Sequence, residues 1–118
     1  MKDQNTVKVA DPSSKVLSYV SANEINFIAF NLATEEYHNE LYEMLKLRNG
    51  LTKGIKQFDN DFFHAIKGES KNSPWMGNPN EVTKHTFIRN QIHNQAENGK
   101  TAYTDLLNSI EKMRGYLI

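Results

Sequence analysis

The chain has 118 residues and a mass of 13.6 kDa, which suits one domain and is too short for a second hydrophobic core. Fourteen basic and 14 acidic side chains cancel to a formal net charge of +0, so neither a strongly basic nucleic-acid binder nor an acidic nucleic-acid mimic is indicated. A mean hydropathy of −0.66 argues against a membrane-spanning protein, and the lack of cysteine excludes disulfides, thiolate zinc sites and cysteine nucleophiles. The polar N-terminus contains no apolar secretory segment, so we expect a cytoplasmic protein.

The N-terminal half predicts an arm followed by helices. Residues 1–12 contain few large apolar side chains, so we predict a flexible arm there and a single helical domain over residues 13–118. A first short helix is expected to begin near Ser13 or Ser14. The Ser-x-x-Glu pattern of Ser21 to Glu24 has the form of a capping box, which marks the start of another helix. Apolar spacing then predicts one long helix over approximately 24–48.

The C-terminal half predicts further helices separated by one long loop. An apolar stripe over residues 51–66 predicts a helix, and the turn-rich segment 68–80 predicts a loop. Asn80 is a plausible cap for a penultimate helix, and a last helix is predicted to begin at Thr101 or Thr104. No apolar-polar alternation typical of strands is found. The predicted fold class is therefore all-α, a small antiparallel bundle of four or five helices.

Five phenylalanines are predicted to form core rather than a ligand site, because they lie at helical spacing. They are Phe27, Phe30, Phe58, Phe62 and Phe63.

Two histidines and an arginine share one predicted helical row. His85, Arg89 and His93 are spaced four residues apart, so their side chains lie on successive turns of the penultimate helix. Histidine titrates near neutral pH and can shuttle a proton, whereas arginine binds phosphate oxygens in a bidentate fork. Such a pair suits metal-independent cleavage of a phosphodiester by its adjacent 2′-hydroxyl, and Asn90 could orient either partner.

The segment Arg89-Asn90-Gln91-Ile92-His93 resembles the motif of the HEPN superfamily of small helical domains. The resemblance implies a metal-independent ribonuclease or RNA-binding domain of a bacterial or phage conflict system, with Arg89, Asn90 and His93 as the catalytic residues. It also implies a homodimer in which two motifs meet. The usual spacer between arginine and histidine is four to six residues long, whereas three separate them here.

A structural role for the same residues stays open. Arg89 could pair with a carboxylate such as Glu97 or Glu111, and His93 could be a boundary histidine. No metal or other cofactor is predicted, because His85 and His93 lie two turns apart and no third ligand accompanies them.

Trp75 lies in the turn-rich segment and has two interpretations. It could cover the core of the bundle, or it could anchor a partner protein or a stacked base. The sequence therefore supports a second hypothesis, a non-catalytic inhibitor, adaptor or accessory subunit that binds a larger protein through a helix face and the Trp75 loop. Predicted binding residues are His85 and Trp75, and predicted partners are RNA or a larger protein.

Overall fold

The computed structural model of the protein describes residues 15–50, 52–94 and 100–118. Its elements are α1 (Ala22–Phe30), α2 (Glu35–Asn49), α3 (Ile55–Phe58) continued by a π-helical turn (Asp59–His64), β1 (Ser73–Trp75), β2 (Asn78–Val82), α4 (Lys84–His93) and α5 (Tyr103–Leu117). The predicted arm, residues 1–12, lies outside the described residues. Within the described residues, no helix combines the length and the apolar character needed to cross a membrane.

Ser21 caps α1 as predicted, but the predicted long helix over 24–48 is wrong, and Glu24 does not complete the capping box because its carboxylate accepts from the Val16 and Leu17 amides. The Ser21 hydroxyl accepts a hydrogen bond from the Glu24 amide at 3.2 Å, as an N-cap does. The helix then ends at Asn31, which is left-handed at φ 53°. A new helix, α2, begins after Thr34, whose hydroxyl accepts from the Tyr37 amide at 3.1 Å. A second N-cap that the spacing did not reveal therefore divides the long helix into two.

The prediction of an all-α fold is also wrong, because β1 and β2 form a two-stranded antiparallel sheet before α4. Trp75 pairs with Asn78, which leaves Met76 and Gly77 as a two-residue turn. Both have positive φ, 49° and 84°, as a type I′ hairpin turn requires at its two central positions. Each strand contains a proline and β1 has only three residues, so alternation could not predict the hairpin. The fold is mainly helical with one hairpin.

The hairpin also moves the start of the penultimate helix. Asn80, the predicted cap, lies in β2 with φ 56°, and α4 begins after Thr83 instead. The last helix, α5, begins at Tyr103, between the two predicted starts. The segment before α1 is not helical at residues 15–20, although Val16 and Leu17 are buried.

The core lies between α2, α4, α5 and the segment formed by α3 and the π-helical turn. Three helices contribute five fully buried aliphatic side chains to it: Leu41, Leu45, Ile88, Ile110 and Met113. Four of the five predicted core phenylalanines are buried with them, which confirms that part of the prediction. Phe30 is 76% exposed because it is the last residue of α1, so its placement in the core is wrong.

Candidate functional site

The helix α4 carries the predicted site residues, and a buried carboxylate fixes its start. Asp59, the first residue of the π-helical turn, is fully buried. Its carboxylate accepts hydrogen bonds from the Thr83 amide at 3.1 and 3.2 Å, the Thr83 hydroxyl at 2.6 Å and the Thr86 hydroxyl at 2.6 Å. A negative charge at a helix N-terminus is favourable because the first amides are unpaired there. Asp59 therefore anchors α4 and sets the position of the predicted site residues along it.

Arg89 lies between two surface grooves. Its side chain is half-buried, and Nη1 donates to the Asn90 amide oxygen at 3.0 Å. Its Nε atom is buried and has no hydrogen-bond partner among the described residues. The guanidinium is therefore held at the surface by packing, with hydrogen-bonding capacity left over.

The first groove, which we call the glutamate groove, separates α4 from α2. Its volume is about 850 Å³, and Arg89 and His93 lie on one side of it. Four carboxylates line it from α2: Glu35, Glu36, Glu40 and Glu43. The predicted catalytic pair thus shares a groove with an acidic wall, which repels a phosphodiester through like charge.

The second groove, which we call the Trp75 groove, separates α4 from the hairpin. It has a volume of about 520 Å³ and brings Trp75 together with Arg89 and Asn90, which are 14 and 15 positions away in the chain. Its walls also include Met76, Phe87, Gln91 and Asn94. Arg89 is the only charged side chain that lines it among the described residues.

His85, a predicted binding residue, lies in the core instead of at the surface. Its side chain is 2% exposed, and its ring centroid is 4.5 Å from that of Phe63. Its Nδ1 lies 2.6 Å from the Ser109 hydroxyl, and its Nε2 lies 2.6 Å from the Glu69 carboxylate. The structure therefore separates His85 from Arg89 and His93, although the three occupy one helical row.

A chain of hydrogen bonds links His38 to Glu69 through the core. The Asn39 amide oxygen faces His38 Nδ1 at 3.1 Å, so that nitrogen donates. Burial lowers the pKa of His38 to about 3, so its ring is neutral at pH 7 and Nε2 accepts from the Ser109 hydroxyl at 2.7 Å. With its one proton used, Ser109 accepts from His85 Nδ1. The other ring nitrogen of His85 faces the Glu69 carboxylate, so His85 connects Ser109 to Glu69.

Glu69 closes this chain at the surface. Burial by itself would raise its pKa, but the hydrogen bond and charge of His85, with smaller contributions from Tyr116 and Lys112, lower it to about 2. The Tyr116 hydroxyl donates to the same carboxylate oxygen as His85. Burial and the bond to this carboxylate raise the pKa of Tyr116 far above its usual range.

Sequence reasoning missed four residues of these networks: His38, Asp59, Glu69 and Ser109. Their partners lie 16 to 71 positions away in the chain, so no local pattern could have identified them. The described residues contain no group of three histidine, aspartate or glutamate side chains that could hold a metal ion.

Comparisons with known proteins find no relative of this chain. No family model matches the chain, and neither the curated proteins nor the solved structures contain a significant match. The resemblance to the HEPN superfamily stays a prediction.

Proposed function

We propose that the protein is a non-catalytic interaction module that binds a peptide segment of a larger protein in the Trp75 groove. The observation that carries the proposal is Met76, which is 86% exposed at the hairpin tip and left-handed at φ 49°. A side chain with a Cβ at positive φ costs about 1 kcal/mol, and asparagine or glycine avoids most of this cost. A strained, exposed apolar side chain beside a tryptophan is a typical protein-binding feature.

The groove chemistry indicates what kind of peptide would fit. Trp75 and Phe87 offer aromatic surface to an apolar side chain. Asn90 and Asn94 carry amides, which can both donate to and accept from a peptide backbone. Arg89 supplies the one positive charge among the described residues that line the groove. The complementary ligand is therefore a segment with an apolar anchor next to one carboxylate.

The ribonuclease predicted from the HEPN resemblance is the second candidate. His93 is exposed and lines the glutamate groove together with Arg89, so a proton-transfer group and a cation are both accessible there. The four glutamates opposite them disfavour a polyanion that crosses Arg89 into this groove. This charge distribution favours the peptide-binding function over the ribonuclease.

A peptide selection with two variants tests the proposal. Peptides selected from a random phage-displayed library on the wild-type protein should carry an apolar residue beside an acidic one. Their affinity, measured by fluorescence polarisation, should fall about tenfold or more in Trp75→Ala. Met76→Asn should also bind more weakly, although its melting temperature should stay equal or rise because asparagine suits the left-handed turn.

The matched control replaces an exposed apolar residue outside the groove. Ile66, which is 67% exposed, becomes asparagine, and peptide affinity should not change. Peptides that bind Trp75→Ala and Met76→Asn as tightly as wild type would refute the proposal. Cleavage of single-stranded RNA by the wild-type protein, abolished in His93→Ala, would establish the ribonuclease instead.

A further inference from the structure

A third pocket, which we call the lysine pocket, lies on a part of the surface that shares no lining residue with either groove. Its volume is about 560 Å³. Lys67 follows the π-helical turn, Lys84 begins α4, and Lys112 lies on α5, so three elements each contribute one ammonium group. Ser70 and Asn72 add a hydroxyl and an amide from the loop before β1.

The one carboxylate that lines this pocket already has hydrogen-bond partners. One oxygen of Glu69 contacts both His85 Nε2, at 2.6 Å, and the Tyr116 hydroxyl. Its other oxygen lies 3.6 Å from Lys112 Nζ. The oxygen that faces the core is therefore occupied by His85 and Tyr116, and Lys112 is the only lysine of the pocket within ion-pair distance of Glu69 among the described residues.

Two of the three lysines retain capacity for an anion. Lys67 Nζ lies 4.9 Å from the ring centre of Tyr116 and 5.5 Å from that of Phe62, and no carboxylate of the described residues lies within ion-pair distance of it. The side chain of Lys112 is 60% exposed, and its 3.6 Å contact with Glu69 is longer than a hydrogen bond. The two aromatic rings hold the Lys67 ammonium group in place and do not neutralise its charge.

Lys84 is the most strongly engaged of the three. Its Nζ lies 3.7 Å from the Asp105 carboxylate, with both side chains about half exposed. Three lysines against Glu69 and Asp105 leave a local charge of one positive unit. Three ammonium groups and the Ser70 hydroxyl that line one pocket suit a phosphate group, whose several oxygens can each accept from a different donor.

We propose that the lysine pocket binds a phosphate group, either as free phosphate or as a small phosphomonoester. Lys67 and Lys112 hold the phosphate oxygens, Lys84 adds charge from the rim, and Ser70 and Asn72 supply neutral donors. Because the lysines are exposed, the interaction is weak to moderate in strength and decreases as ionic strength rises.

A titration of the ¹⁵N-labelled 118-residue chain with inorganic phosphate tests the proposal, with sodium chloride matching the ionic strength. Saturable shifts are expected at the amides of Gly68, Ser70 and Asn72. The double variant Lys67→Met, Lys112→Met should bind about tenfold more weakly, and the corresponding double arginine variant should keep its affinity because it keeps both charges.

The matched control changes the same total charge elsewhere. Lys53 and Lys56, which pair with Asp61 and Glu81 outside the pocket, are both replaced by methionine. Phosphate affinity should stay at the wild-type value, and an equal loss in both methionine double variants would overturn the proposal.

A second probe, phenyl phosphate, separates the two sources of the phosphate group. Tighter binding than inorganic phosphate assigns the site to phosphomonoesters, and equal binding assigns it to free phosphate. The absence of saturable shifts with both probes would overturn the proposal. Peptide binding in the Trp75 groove is measured independently, since no variant of this titration touches that groove.

Discussion

The neutral, buried ring of His38 should make the protein less stable as the pH falls. His38 is fully buried, and burial lowers its pKa from 6.5 to about 3, since the charged ring would lose its hydration. A histidine whose folded pKa is lowered stays neutral in the fold while the unfolded chain takes up a proton. Stability is therefore present above pH 6.5 and is lost as pH falls from 6.5 towards 3.

The loss of unfolding free energy that His38 causes has a definite size between pH 6.5 and 4.5. One proton of difference corresponds to about 1.4 kcal/mol for each pH unit once the unfolded histidine is mostly charged. Between pH 6.5 and 4.5, the free energy of unfolding should fall by about 2 kcal/mol from this residue alone. Glu69 adds its own loss below this window, because its pKa is lowered from 4.5 to about 2 and its stabilisation disappears as it protonates.

Urea unfolding at several pH values in this window is the assay, applied to wild type and to His38→Gln. The glutamine variant should be less stable overall, but its free energy of unfolding should depend less steeply on pH. Thr34→Ala is the control: it removes the N-cap hydrogen bond of α2 without touching a titratable group, so stability falls but the wild-type slope should persist. Equal slopes for wild type and His38→Gln would refute the reasoning, since they would show that His38 binds its proton in the folded protein.

Three further predictions concern stability at neutral pH. Asp59→Ala should lower the free energy of unfolding by about 3 kcal/mol, because three buried donors lose their acceptor. By comparison, Asp61→Ala, which removes an exposed pair with a lysine at 2.9 Å, should cost much less; equal costs in chemical denaturation would contradict the role of Asp59. Gly115→Ala should stabilise α5 by about 0.5 kcal/mol, because a Cβ there meets no atom within 4 Å and alanine favours helix. Gly77→Ala should destabilise the hairpin, since φ is +84° there, and a rise in melting temperature would refute that assignment.

The three surfaces around α4 differ in charge. The glutamate groove concentrates negative charge on the α2 side, and the lysine pocket concentrates positive charge near the start of α4. The Trp75 groove between α4 and the hairpin contains one charged side chain among the described residues. A formal net charge of +0 thus conceals three surfaces of different chemistry, each suited to a different ligand.

Local patterns in the sequence determined the elements that depend on nearest neighbours. The Ser21 cap and the last helix were both predicted, because caps and helical spacing depend on residues within one or two turns. The last helix buries Leu106, Ile110 and Met113, which are spaced by four and three residues.

The candidate site was predicted only in part. The sequence placed Arg89 and Asn90 on one helix and singled out Trp75, but it could not bring them into one groove, because the hairpin that does so lacks strand alternation. The Trp-Met-Gly-Asn segment does contain a hairpin signal, because Met76 and Gly77 separate the two strand ends. The signal is weak because methionine replaces the asparagine that usually precedes glycine in such a turn.

The sequence alone determined which residues lie on one helical row, and the tertiary structure decided what each of them does. His85, Arg89 and His93 follow one another at intervals of four, yet one is buried, one half-buried and one exposed. Helical spacing is local and is therefore written in the sequence. The surroundings of each turn depend on partners from distant segments: Glu69 and Ser109 surround the first, and open grooves surround the others. The burial of His85 and the accessibility of Arg89 therefore appear only when the chain is folded.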